Sequence, residues 1–226
     1  MTSLHADAPM FIKICGLTSP EDAGVCAEAG ATAIGVNFWP KSKRYHSLED
    51  AVTWLPEFAG GPVRIALFVN AELADIQAAV DSALFEAIQL HGDESPEFCA
   101  RVRVLGLPVI RGLSLHAGSD ISILENHPAD AFILDAFLPG HYGGTGKLGH
   151  WGLAAEAVRL YPDKTLILAG GLTPENVAAA LREVGSFGVD VASGVESSPG
   201  KKDHAEIRAF IAAARAAHPG SLLPGR

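Results

Sequence analysis

The sequence predicts a single-domain α/β protein, an eight-stranded (β/α)8 barrel of the TIM type, and three observations carry that prediction. Short apolar runs recur along the whole chain, amphipathic Ala-rich stretches separate them, and eight such units fit into about 210 residues, the size of one closed barrel. The runs lie at 11–14, 33–37, 64–69, 87–90, 108–111, 131–135, 165–169 and 188–192. Each is four to six residues long without strict polar alternation, the pattern of strands buried on both faces. Strict strand-helix alternation implies a parallel sheet with helical crossovers. An open doubly wound sheet would need a switch in strand order, and the count of eight units favours closure.

Taken in order, each run is followed by a helix candidate. After the first comes 19–29, with Ser19 as cap, Pro20 at the favoured first position and Gly30 as the stop. After the second, 47–55 opens on a capping-box pattern, Ser47 with Asp50 three residues later. Weaker amphipathic segments at 71–80, 119–126 and 151–161 fill the third, fifth and sixth slots. The fourth helix, 95–103, repeats the Ser-Pro start, and the seventh, 173–183, opens on Thr173-Pro174. The eighth, 203–217, is the longest. No linker interrupts the pattern, so the barrel is expected over 11–217, with 1–10 an N-terminal extension and 218–226 a C-terminal tail.

The bulk numbers bound the function. Of 226 residues, 48% are apolar and only 19% charged, enough to bury a core and too few charges for disorder. A formal charge of −9 argues against nucleic acid as a partner. It does not exclude a phosphorylated small molecule, because helix N-termini bind phosphate through backbone N–H groups. The three cysteines (Cys15, Cys26, Cys99) show neither a disulfide framework nor a Zn pattern, and the nine histidines show no paired spacing, so no metal is expected. With no signal peptide in the first ten residues and no run of about 20 apolar residues, a soluble, cytoplasmic protein without membrane contact is expected. Oligomeric state stays open between monomer and homodimer.

Barrel active sites form where the strands' C-terminal ends meet the loops that follow. The residues expected at those ends are Cys15, Asn37, Asn70, His91, Arg111, Asp135, Gly170-Gly171 and Ser193-Gly194. Glycines at the last two turns let the backbone approach an anion, and a short helix opening at Ser193 would aim N–H groups at a phosphate; otherwise they only turn corners. Cys15 differs from Cys26 and Cys99, which read as small hydrophobes, in ending a strand just before Gly16. Asp135 closes an apolar strand, where partial desolvation can raise its pKa toward that of a general acid; a salt-bridged strand end is the alternative. The basic cluster 40–45 after the second strand is either a solvated loop or an anion-recognising one, with Arg44 offering a planar fork to a carboxylate. His91 shapes the mouth, and Arg111 is given no role. The segment Gly143-Gly144-Thr145-Gly146-Lys147 lacks the first glycine and the Ser/Thr of a P-loop, and is expected instead to close over substrate.

Together these segments resemble the phosphoribosylanthranilate isomerases. The resemblance rests on Lys13-Ile14-Cys15-Gly16-Leu17-Thr18, Pro40-Lys41-Ser42-Lys43-Arg44-Tyr45 and Gln89-Leu90-His91-Gly92. It continues through Leu134-Asp135 with 143–147, Ala169-Gly170-Gly171-Leu172, and Ser193-Gly194-Val195-Glu196 with 199–203, spanning about residues 11–215 in order. Ala192 stands where a serine is expected. The resemblance implies an Amadori rearrangement of N-(5-phosphoribosyl)anthranilate in tryptophan biosynthesis, without cofactor or metal. It implies Asp135 as general acid, Cys15 as thiolate base whose chemistry a lowered pKa would help, and Arg44 on the anthranilate carboxylate with His91 nearby. Gly170, Gly171, Ser193 and Gly194 would hold the phosphate, and Asp190 would support the site. Two rivals are a related histidine-pathway isomerase, which carries aspartate where this chain has Cys15, and a non-catalytic sugar-phosphate-binding barrel, which would need neither Cys15 nor Asp135.

Overall fold

The structure, a computed structural model, describes residues 10–135 and 151–217. Eight parallel strands close into a barrel in sequence order: β1 (Phe11–Cys15), β2 (Ala33–Asn37), β3 (Val63–Phe68), β4 (Ala87–Leu90), β5 (Val109–Ser114), β6 (Ala131–Asp135), β7 (Thr165–Ala169) and β8 (Gly188–Val191). β8 returns to β1 with Lys13 opposite Asp190. Around the strands lie α1 (Pro20–Ala29), α2 (Leu48–Val52), α3 (Leu73–Asp81), α4 (Pro96–Arg103), α5 (Trp151–Leu160), α6 (Val177–Val184) and α7 (His204–Ala217). The N-terminal extension up to residue 9, the glycine-rich segment 143–147 and the tail 218–226 lie outside the described residues.

Local chemistry accounts for most element boundaries. Ser19 and Ser95 cap α1 and α4 by accepting from the backbone N–H groups of Asp22 and Phe98, with a proline at each first turn. Gly30 ends α1 in the left-handed conformation at φ 88°. Ser47 accepts from Asp50 N at 3.0 Å, as its spacing predicts.

Four expectations need correction. The helix expected at 173–183 begins only at Val177, because the Asn176 side chain folds back, accepting from Thr173 N at 2.8 Å and donating to Gly171 O at 2.9 Å. The segment expected at 119–126 is a single 3-10 turn, Ile121–Leu124, capped by Asp120. The helix expected at 47–55 stops at Val52 and resumes as a 3-10 turn, Leu55–Phe58. β5 runs three residues past Arg111, so Ser114 ends that strand and Arg111 stands within it. Arg111 donates to the carbonyl oxygens of Leu90, Gly112 and Gly92 and pairs with Glu94 at 3.2 Å, a buried strut between neighbouring loops. The short hairpin β9 (Glu196–Ser198) and β10 (Lys201–Lys202), turning at Pro199-Gly200, was not anticipated.

The interior of the barrel is filled unevenly. Ala33, Ile65, Ala87, Ile110, Ile133, Ile167 and Ala169 pack into one apolar cluster, with Phe11 and Phe187 stacked below it at 6.3 Å. A second and larger apolar layer lies between strands and helices. Above the inner plug the wall turns polar, with Lys13, Gln89 and Asp190 all buried. The plug therefore supports the polar mouth from beneath. Ile65→Ala removes a fully buried side chain from that plug. Urea denaturation is expected to show a loss of about 2–5 kcal/mol, as for other large-to-small core changes.

Candidate active site

At the C-terminal ends of the strands lies a cavity of about 370 Å³ whose lining includes all nine residues singled out as site candidates: Cys15, Arg44, His91, Asp135, Gly170, Gly171, Asp190, Ser193 and Gly194. They come from β1, the β2 loop, β4, β6, β7 and β8, brought together by closure of the barrel. Asn37, Trp39, Ser42 and Gln89 also line it.

One side of the cavity is made by the two glycine turns. Gly170 and Gly171 hold φ of 87° and 67°, a left-handed pair that side-chain-bearing residues adopt only with strain. Ser193 opens a one-turn 3-10 helix, Ser193–Val195, as the expected short helix. The turns pack on each other: a Cβ on Gly194 would lie 1.8 Å from the Leu172 carbonyl oxygen. Backbone of both turns thus faces the cavity without side chains between, an arrangement suited to a phosphate.

Beside them stands a buried group of three side chains. Lys13 Nζ donates to Asp190 Oδ1 at 2.9 Å, with the two side chains 0% and 8% exposed. Cys15 Sγ and Lys13 Nζ converge on the space over Gly35, where a Cβ would lie 3.0 Å from the sulfur and 3.3 Å from the nitrogen. Burial pushes the Cys15 thiol up; Lys13 pulls the other way without cancelling it, and Asp190 adds to the rise. The lowered thiol pKa that would help a base is therefore not what these surroundings produce. Burial also acts to lower Lys13, but the Asp190 carboxylate, aided by Cys15, outweighs it and the ammonium is held above its usual range.

Across the mouth, His91 Nε2 faces Asp135 Oδ2 at 3.8 Å, too long for a hydrogen bond. Both side chains are about a quarter exposed, at 27% and 28%. His91 Nδ1 is 2.9 Å from the Gln89 amide nitrogen. With that nitrogen donating, neutral His91 carries its proton on Nε2, the atom facing Asp135. The ring lies over Gly112, where a Cβ would come within 2.2 Å of Nδ1. Gly112 is thus a strand glycine required by what lies against it, and Gly35 has the same function beneath Cys15. Gly35 stands inside the apolar run 33–37, a sequence signal of close approach, whereas Gly112 lies one residue past the run at 108–111 and carries no such signal.

Arg44 reaches the cavity already engaged. Its Nε and Nη2 donate to the two carboxylate oxygens of Glu196 at 2.6 and 2.7 Å. Lys202 Nζ adds 3.0 Å to Glu196 Oε1 and 2.9 Å to the Ala192 carbonyl. Burial works against the Glu196 charge, but Arg44 and Lys202 outweigh it, and the carboxyl is held below the ordinary range. The same bridge does not raise Lys202, whose own burial pulls its ammonium down. Glu196 and Lys202 carried no assigned role at the sequence level. They latch the β2 loop to the β9–β10 hairpin and fix the fork of Arg44.

Residues 12–213 match the family described as N-(5'-phosphoribosyl)anthranilate (PRA) isomerase. The N-(5'-phosphoribosyl)anthranilate isomerase of Magnetococcus marinus is 43% identical over 212 residues, covering 94% of this chain and 98% of that protein. The crystal structure of phosphoribosyl anthranilate isomerase from Thermotoga maritima superposes with a TM-score of 0.83 at 40% identity, covering 92% of this chain and 100% of that one. A second solved phosphoribosyl anthranilate isomerase, in complex with reduced 1-(o-carboxyphenylamino)-1-deoxyribulose 5-phosphate, has a TM-score of 0.79 at 38% identity, with 92% and 100% covered.

The Glu196 latch predicts a pH signature. Because the folded carboxyl has a depressed pKa, its contribution to stability is complete above the pH where an unfolded glutamate ionises. It is lost as pH falls through the folded value. Urea midpoints measured from neutral to acid pH should fall more steeply for wild type than for Glu196→Gln, which is less stable at neutral pH but carries no such titration. Parallel curves would show that the latch contributes nothing to acid sensitivity.

Proposed function

The chain belongs to the N-(5'-phosphoribosyl)anthranilate isomerase family, isomerases of tryptophan biosynthesis, and we propose that Cys15 and Asp135 carry the rearrangement within it. The observation that supports this reading most is their placement in one cavity together with the two glycine turns. A sugar phosphate whose phosphate rests on Gly170, Gly171, Ser193 and Gly194 has its ring between β1 and β6, with the thiol on one side and the carboxyl on the other.

The steps follow from that placement. Asp135, protonated, gives its proton to the furanose ring oxygen as the bond from that oxygen to C1 breaks, and the nitrogen lone pair completes a Schiff base. Cys15 as thiolate then takes the proton from C2, and its electron pair neutralises the iminium to an enolamine. Tautomerisation moves the hydroxyl proton at C2 to C1 and leaves the ketone, 1-(2-carboxyphenylamino)-1-deoxyribulose 5-phosphate. Asp135 ends as carboxylate and Cys15 as thiol, so one proton passed between them through solvent resets the site. No electron leaves the substrate, and the reaction needs no cofactor.

The remaining residues bind. The Arg44 guanidinium, held in plane by Glu196, offers its remaining Nη1 edge to the anthranilate carboxylate, and His91 stands within the same cavity. Asp190 supports β1 through Lys13 rather than facing substrate alone. The substrate is a phosphorylated small molecule.

Turnover of freshly generated phosphoribosylanthranilate, followed by loss of its fluorescence, tests the assignment. Wild type is expected to turn it over rapidly. Cys15→Ser and Asp135→Asn should each lose at least about a hundredfold in kcat, the usual range for a lost acid or base. Activity of folded Cys15→Ser or Asp135→Asn near the wild-type rate would remove that residue from the mechanism. Turnover of the histidine-pathway substrate alone would replace the reading altogether.

A further inference from the structure

A base at the first strand must shed its proton in a place where burial favours the neutral thiol, and nothing in the acid–base scheme so far explains how. The charged groups facing the Cys15 sulfur are Lys13 from its own strand, Asp190 from β8, Lys202 from β10 and Arg44 from the β2 loop. Lys13 is the one that shares the pocket over Gly35 with the sulfur. It is fully buried, and it is anchored at 2.9 Å by a carboxylate on the neighbouring strand.

A lysine inside a barrel is costly to desolvate, and leucine or isoleucine would fill its place above the apolar plug without that cost. Pairing with Asp190 makes the burial tolerable but does not explain why the pair is there. The pair's position does. Lys13 projects into the barrel two residues before Cys15, on the same face of β1, so its ammonium rises toward the sulfur from below. The missing side chain of Gly35 on β2 leaves the room in which the two meet.

We propose that Lys13 is a positioning residue for the rearrangement: its buried ammonium, anchored by Asp190, stabilises the Cys15 thiolate and fixes the sulfur's approach to C2 of the sugar. The inference rests on the reading of Cys15 as base. Lys13 touches no substrate; it acts through the sulfur. In the ground state burial keeps the thiol high, and removal of the ammonium leaves nothing comparable to oppose it. Asp190 serves this arrangement by keeping the ammonium charged and in place, and its own negative charge acts on the sulfur in the opposite sense.

The test is a titration of the Cys15 thiolate by its ultraviolet absorbance, each curve taken as the difference from the matching Cys15→Ser protein. This cancels Cys26 and Cys99. In Lys13→Met the midpoint is expected to move to higher pH, with about tenfold or more less thiolate at neutral pH. Turnover should fall by a similar factor at neutral pH and recover as pH rises, with KM little changed. If Lys13→Met does not fold, the double variant Lys13→Met/Asp190→Asn is compared with Asp190→Asn, which avoids leaving a buried carboxylate unpaired. An unmoved midpoint, or turnover lowered equally at every pH, would make Lys13 a structural residue only and overturn the proposal. Full activity of Cys15→Ser would overturn the base reading and the proposal with it, whereas a normal thiol titration with inactive Cys15→Ser would sink the Lys13 role alone.

Discussion

Closing a barrel forces its first and last strands together, and here the seam is marked by a buried ion pair. Lys13 on β1 and Asp190 on β8 are opposite one another in the register and bonded at 2.9 Å. Two desolvated charges are expensive alone and tolerable together, and losing either partner from such a pair typically costs about 3–5 kcal/mol. The pair therefore specifies how β8 meets β1 more than it adds net stability. That register brings Cys15, at the end of β1, beside the turn at Ser193-Gly194. The base candidate and the backbone proposed to hold phosphate are neighbours because the seam closes in this register.

From the seam the polar mouth spreads around the ring by contacts that each need a small neighbour. Gly35 makes room for the sulfur and the ammonium, and Gly112 makes room for the His91 ring. Beyond the strands, the loops hold one another. The Arg44–Glu196–Lys202 network ties the β2 loop to the final hairpin, and Thr18 Oγ1 donates to the Gly200 carbonyl at 3.4 Å from the β1 loop. The Nη1 edge of Arg44, the group proposed to meet the substrate carboxylate, is thus oriented in advance, which would lower the ordering cost of binding.

Below the mouth the inner plug of alanine, isoleucine and phenylalanine gives the polar layer a dry floor. Low polarity beneath and charge above increase the effect of each charged neighbour on the sulfur, since fields are less screened there. The same floor explains why the thiol does not ionise easily by itself. Ionisation of the thiol is a contest between burial and a small set of positioned charges.

Much of this was legible in the sequence, for a physical reason. Strand-length apolar runs, Ser-Pro caps and their spacing are local signals, and they placed eight strands and the helices α1 and α4 closely. The ends of those strands named Cys15, Asp135, His91 and the two glycine turns, because a barrel puts strand ends in one place whatever the side chains do. Local signals failed where a distant atom decided. Thr173-Pro174 reads as a helix start, yet Asn176 ties that segment back to Gly171 and delays α6 to Val177. Arg111 reads as a strand end, yet β5 continues to Ser114 because Gly112, Leu113 and Ser114 pair with Ile133, Leu134 and Asp135 of β6. Lys13 reads as one lysine in an apolar strand. Only closure of the barrel, by setting Asp190 beside it and Cys15 above it, made it a buried cation at the site, because pairing across 177 residues of sequence is a property of the tertiary structure.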